Sequence, residues 1–158
     1  MKRGGKLLLL IVLLIGAISQ TGCGGGGGGS APPPPAGTVV SKTAVLTGGE
    51  EVPAVTTSAG GSGTLGVNTT TGDVTGSLTI ATAPTSTVTL AHVQEGARGA
   101  NGSIVIVLES SGSGVLSVPA GKVLSAAQIN TFSSGGLYFN VRTDAHPTGE
   151  IRGQIEGP

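Results

Sequence analysis

At 158 residues the chain is long enough for one domain, and 30 glycines, 10 % charged residues and 2 % aromatics favour strands and turns over helices. The formal net charge is zero, and losing Lys2, Arg3 and Lys6 with a leader leaves a mildly acidic product, which argues against nucleic acid as a partner. A single cysteine, Cys23, excludes an internal disulfide and any multi-thiolate metal centre.

Residues 1–6 are basic and residues 7–18 form an apolar run. The run is too short to stop in a bilayer and fits the hydrophobic region of a secretory leader. Ser19-Gln20-Thr21-Gly22-Cys23 resembles the bacterial lipobox, where a small residue precedes the cysteine that receives diacylglycerol; Gln20 stands where an aliphatic is usual. Residues 1–22 are therefore expected to be a lipoprotein signal peptide. Cys23 is the expected lipidation site, with acyl chains such as palmitate anchoring the protein to a membrane. Residues 24–29 are all glycine and 32–35 all proline, a flexible coil followed by a stiff spacer, so 23–37 read as a tether. The expected location is the bacterial cell envelope. Gly24, in place of an inner-membrane-retaining aspartate, favours the outer membrane or cell surface in a Gram-negative host.

Residues 38–158 read as short strands separated by turn signals. Strands are expected over 38–47, 63–68, 74–82, 87–94, 103–109 and 114–118. Pro53 marks an edge or bulge after the first. Val74, Gly76, Leu78 and Ile80 alternate with Thr75, Ser77 and Thr79, as in a half-buried antiparallel strand. Val88, Leu90, His92 and Gln94 share one face, predicting a strand that starts in the core and ends near a rim. The continuous apolar run 103–109 predicts a central strand. Ser125-Ala126-Ala127-Gln128 matches a capping box and predicts a helix of about two turns. The expected fold is all-β: an antiparallel, Greek-key-like sandwich or barrel of about 7–9 short strands with one short helix near 125–134.

The chain closes on two strand-like runs, 137–143 and 150–156, around Pro147 and Gly149. Leu137, Phe139 and Val141 form one apolar face, and Ile151 and Ile155 the other. Pairing like faces sets Asn140 opposite Arg152 and Arg142 opposite Glu150, predicting an Arg142–Glu150 ion pair.

Three stretches carry a family resemblance. Residues 46–53 (Leu-Thr-Gly-Gly-Glu-Glu-Val-Pro), Ala91-His92-Val93-Gln94 with the glycine-rich 96–102, and 135–141 with 147–155 resemble the CHRD domain, named after chordin. With the helix near 124–132, the resemblance runs from about Ala44 to Ile155. It implies an all-β extracellular module without a defined molecular role, and chordin's own antagonism of signalling does not follow from it. Family members commonly read His-x-His where this chain has His92-Val93-Gln94, and His where it has Arg142. Both differences remove imidazoles.

Two functional readings follow. The first is a lipid-anchored, non-enzymatic binding or structural module, with a protein or glycan ligand, no cofactor and no catalytic residues; no nucleophile, base and orienting acid can be assembled. The alternative is a copper- or zinc-binding envelope protein whose histidine site is a degenerate likeness of the superoxide dismutase barrel. Its metal or ligand set would be His92, Gln94, His146 and Asp144, with Glu95 and Glu150 as further possible oxygen ligands. Glu50, Glu51, Asp73 and Asp144 are too scattered for a calcium loop. Gly96-x-x-Gly99-x-x-Gly102 lacks a nucleotide-binding context and reads as a tight strand connection. Arg142, Glu150 and Arg152 read as a structural signature, Arg152 making an ion pair or bonding loop carbonyls.

Overall fold

The computed structural model describes residues 37–157. The expected signal peptide, the lipidation site and nearly all of the tether lie outside the described residues. Within them the fold is all-β with one helix, as expected. The strands are β1 Val39–Thr47, β2 Gly60–Asn68, β3 Val74–Thr82, β4 Val88–Glu95, β5 Ser103–Val107, β6 Glu109–Gly112, β7 Val115–Ser117, β8 Leu137–Thr143 and β9 Ile151–Gln154, with helix α1 at Ala126–Ser133. All paired strands are antiparallel, in the order β5-β4-β8-β9-β1-β2-β3-β7-β6.

The sheet curls into a nearly closed barrel. Its two edge strands, β5 and β6, are consecutive in the chain and separated only by Leu108, whose N–H donates to Ala91 O at 2.9 Å. This corrects the expectation of a central strand over 103–109. The run is apolar, but only Ile106 and Leu108 are buried, while Ile104 and Val107 are nearly half exposed. An apolar run alone does not distinguish a central strand from an edge strand that turns a corner.

Elsewhere alternation places the core, in β3 and β8 as read from the sequence. Ala44 and Leu46 of β1, Leu65 and Val67 of β2, Val74 and Leu78 of β3, and Leu137, Phe139 and Val141 of β8 all point inward. Thr75, Ser77 and Thr79 face outward. Phe139 packs over Gly63, where any side chain would collide with the ring. With few aromatics available, the barrel is filled mainly by aliphatics in close contact. Helix α1 contributes Phe132 to the core, with Ile129 packed against it. Ser125 caps the helix with the reciprocal Gln128 bonds of a capping box. At its other end Lys42 Nζ donates to the carbonyls of Phe132 and Ser133 at 2.8 and 2.9 Å, where a cation is favoured.

Candidate functional site

The outward face of β4, β8 and β9 is polar yet buried. Period-two alternation puts His92 and Gln94 of β4, Tyr138, Asn140 and Arg142 of β8, and Arg152 and Gln154 of β9 on this face. Cross-strand pairing sets His92 beside Asn140, Asn140 beside Arg152, and Gln94 and Gln154 on either side of Tyr138. Only Arg142 among them is half-buried; the rest are buried. The expected course of β4 is thus reversed. Ala91 and Val93 face the core, Leu90 is largely exposed, and His92 and Gln94 are the covered residues, after a register shift between Val88 and Leu90.

Two connections supply the cover. One is the β4–β5 loop, residues 96–102. The other is the β1–β2 connection, residues 48–59. In the first, Ala97 O and Ala100 O turn inward and each accepts from the Arg152 guanidinium at 2.9 Å. That guanidinium also lies 3.6 Å over the centre of the Tyr138 ring. Gln154 Nε2 donates to Gly96 O and Gly135 O, and Tyr138 Oη accepts from Gly102 N. The glycine run is therefore a tight strand connection. A side chain at Gly102 would run into the Glu95 carbonyl. The two covers are joined by Asn101 Nδ2 donating to Val52 O, and by Arg98, which pairs with Glu50 and with Glu156.

Glu51 enters the layer from the second cover. Its carboxylate accepts from Asn140 Nδ2 at 2.9 and 3.2 Å. Burial pushes its pKa up to about 7, although Arg152, the Val52 amide, Arg142 and Asn140 all favour the ionised form. His92 is shifted down, first by burial and then by the charge of Arg142, so its imidazole is held neutral. Glu51 was the residue least visible as a site residue. Its signal is an acid next to Val52-Pro53 in a chain with few charges, but nothing local shows that Asn140 receives it.

The predicted Asn140–Arg152 register is present, but the Arg142–Glu150 ion pair is not. The ladder ends at Val141–Ile151, and Glu150 N donates to Val141 O instead of continuing the pairing. The buried Glu150 carboxylate accepts from the hydroxyls of Thr57 at 2.7 Å and Thr143 at 2.6 Å. Gly149, at φ 150°, allows this slip and lies against the Glu51–Asn140 pair. Gly149→Ala should cost roughly 2–4 kcal/mol, because the backbone disfavours a side chain and Cβ would strike both partners. Gly99→Ala, also at positive φ but in open space, should cost only about 1 kcal/mol, and urea denaturation of the two variants compares them.

The residues expected to ligate a metal are separated by environment. His92 and Gln94 lie under the covers, whereas Asp144 is exposed and His146 half-buried in the turn after β8. That turn is tied to the chain before β4, through Asp144 N to Thr87 O and Ala145 N to Ser86 Oγ. Among the described residues no three His, Cys, Asp or Glu side chains are grouped to hold a metal ion.

An opening beside β8 reaches the polar layer from solvent. It has a volume of about 220 Å³ and is lined by Gln94, Asn101, Gly102, Tyr138, Arg142, Pro147 and Thr148. Arg142 makes no ion pair among the described residues, and its buried Nε has no hydrogen-bond partner there. His92 Nδ1 and Asn140 Oδ1 are likewise buried without partners.

The motifs that shape this layer, the two covers and the closing hairpin, all lie within residues 42–155, and that span matches the family model of the CHRD domain. The chain belongs to the CHRD-domain family. No curated protein and no solved structure matches it. The family's residues thus coincide with the barrel and its covered polar face, and in this CHRD domain Arg152 and Glu51 hold the covers down.

Proposed function

We propose that the protein is a lipid-anchored module of the bacterial cell envelope, which binds a ligand through its CHRD domain and carries out no chemistry on it. The observation that supports binding is the opening beside Arg142. Its lining offers hydrogen-bond donors and one cation, without a carboxylate, an imidazole or an activated nucleophile. Glu51, whose pKa burial raises to about 7, is absent from that lining and is engaged by Asn140. Its perturbation follows from burial in a structural layer, which shifts pKa values as catalytic sites do. The anchor is supported by the apolar run 7–18, the small residues before Cys23 and the tether after it.

Labelling cells with radioactive palmitate tests the anchor. The wild-type chain should take up label and fractionate with membranes, and Cys23→Ser should lose both properties. Label retained by the serine variant would overturn the assignment. Binding is tested by thermal unfolding of the detergent-purified chain with fractionated envelope glycans and peptides. A ligand that favours the folded state raises the melting temperature saturably, and no rise with any fraction would count against the module.

A further inference from the structure

The opening beside β8 also specifies a ligand chemistry, and this step rests on the binding-module reading. Its lining brings together four groups able to donate a hydrogen bond, one of them with a buried N–H that has no partner among the described residues. These are the Arg142 guanidinium, the Gln94 amide, the Thr148 hydroxyl and the Tyr138 hydroxyl. Tyr138 Oη already accepts from Gly102 N at 3.0 Å, so its own hydrogen is the part left to give. Arg142 Nε is buried without a partner, and Gln94 beside it is only 4 % exposed. Such groups are normally satisfied, so their convergence on one opening points to an acceptor-rich occupant. Asn101 has its Nδ2 held by Val52 O, which leaves Oδ1 as an acceptor.

Charge narrows the class. Arg142 is the only cation in the lining, since Arg152 is committed to Ala97 O, Ala100 O and the Tyr138 ring. Glu51 lies near enough to sense Arg142, which disfavours a doubly charged guest such as a phosphate dianion. A guanidinium fork matches the two oxygens of a carboxylate. The volume of about 220 Å³ is below the usual ~300–1,000 Å³ of drug-sized sites, which limits the guest to a few carbons beside its acid group. We infer that Arg142, Gln94, Tyr138 and Thr148 form a binding site for the carboxylate of a small organic acid. A hydroxyl or amide N–H next to the carboxylate can donate to Asn101 Oδ1, so lactate and N-acetylglycine are suitable probes.

The test titrates the detergent-purified full chain, in a carboxylate-free buffer, with lactate and N-acetylglycine while following the Arg142 Nε–Hε NMR resonance. The expected result is a saturable shift of that resonance. The neutral analogue lactamide should bind at least roughly tenfold more weakly, and so should lactate to Arg142→Gln. Thr148→Val, at the exposed edge of the opening, should weaken lactate binding severalfold without altering the β-sheet resonances. It keeps the test valid if Arg142→Gln misfolds. No saturable shift up to about 50 mM acid, equal binding of lactamide, or preference for inorganic phosphate would each overturn the carboxylate site. If these acids fail while envelope glycans or peptides still raise the melting temperature, the site is refuted and the binding module stands. If both fail, the binding-module reading fails as well.

Discussion

Arg152→Leu is expected to be among the most damaging single substitutions in this domain, lowering stability by roughly 3–5 kcal/mol. Arg152 is 1 % exposed, and its guanidinium bonds two loop carbonyls and Gln154 Oε1 and stacks on Tyr138. Leucine restores none of this. It leaves Ala100 O without its guanidinium donor and Ala97 O with only the Ala100 N–H, and withdraws a positive charge that favours ionised Glu51. Arg152→Lys keeps the charge but cannot span two carbonyls with a planar fork, and should cost roughly half as much. For a domain of this size the leucine variant should melt about 10–20 °C lower. Amide exchange in residues 96–102 should accelerate in both variants before global unfolding. A leucine variant that melts within about 3 °C of wild type would show that the covers are held by other contacts.

The second large effect is on pH dependence, where two buried groups act in opposite directions. Glu51 has its pKa raised from 4.5 to about 7. Between these values the folded state retains a proton that the unfolded state has released. Its stabilising contribution is therefore complete below pH 4.5 and is lost as pH rises through about 7. His92 is lowered from 6.5, so the unfolded state takes up a proton first as pH falls, and stability drops below pH 6.5. Wild type should thus be most stable in mildly acidic solution. Glu51→Gln keeps an oxygen to accept from Asn140 Nδ2 and removes the ionisation. At pH 8 it should be more stable than wild type by on the order of 1–3 kcal/mol, the partial exposure of the carboxyl reducing the upper figure. In the variant the His92 contribution should remain, stability falling as pH drops below 6.5. Urea denaturation from pH 4 to 9 measures both curves. A Gln variant less stable than wild type at pH 8 would mean that Glu51 is ionised and stabilising there.

What could be read from the residues divides along a physical line. The closing hairpin was legible because Leu137, Phe139 and Val141 alternate with polar residues, and like faces must meet. That rule alone found the Asn140–Arg152 register. Helix α1 was legible because its cap is local to Ser125 and Gln128. The polar layer was not, because its partners are far apart in the chain. Glu51 meets Asn140 across 89 positions and Arg152 meets Ala97 across 55. A polar strand face ordinarily means solvent, and nothing in β4 or β8 announces that two loops cover it. This is why His92 and Gln94 read as rim residues, and why Arg142 was matched to Glu150. The slip at Gly149 and the hydroxyls of Thr57 and Thr143 took that carboxylate elsewhere.

The order of strands in the barrel also bears on when the domain can form. Strand β9 lies between β8 and β1, so the last strand along the chain inserts beside the first. Bringing those segments together closes a loop of nearly the whole domain, which is entropically slow and cannot begin until β9 is available. A chain emerging from its N-terminus would hold β1 and β8 with unpaired edges until its last residues arrive. Until then the other strands form an open sheet whose two unpaired edges face one another, and β9 is the piece that joins them into a cylinder.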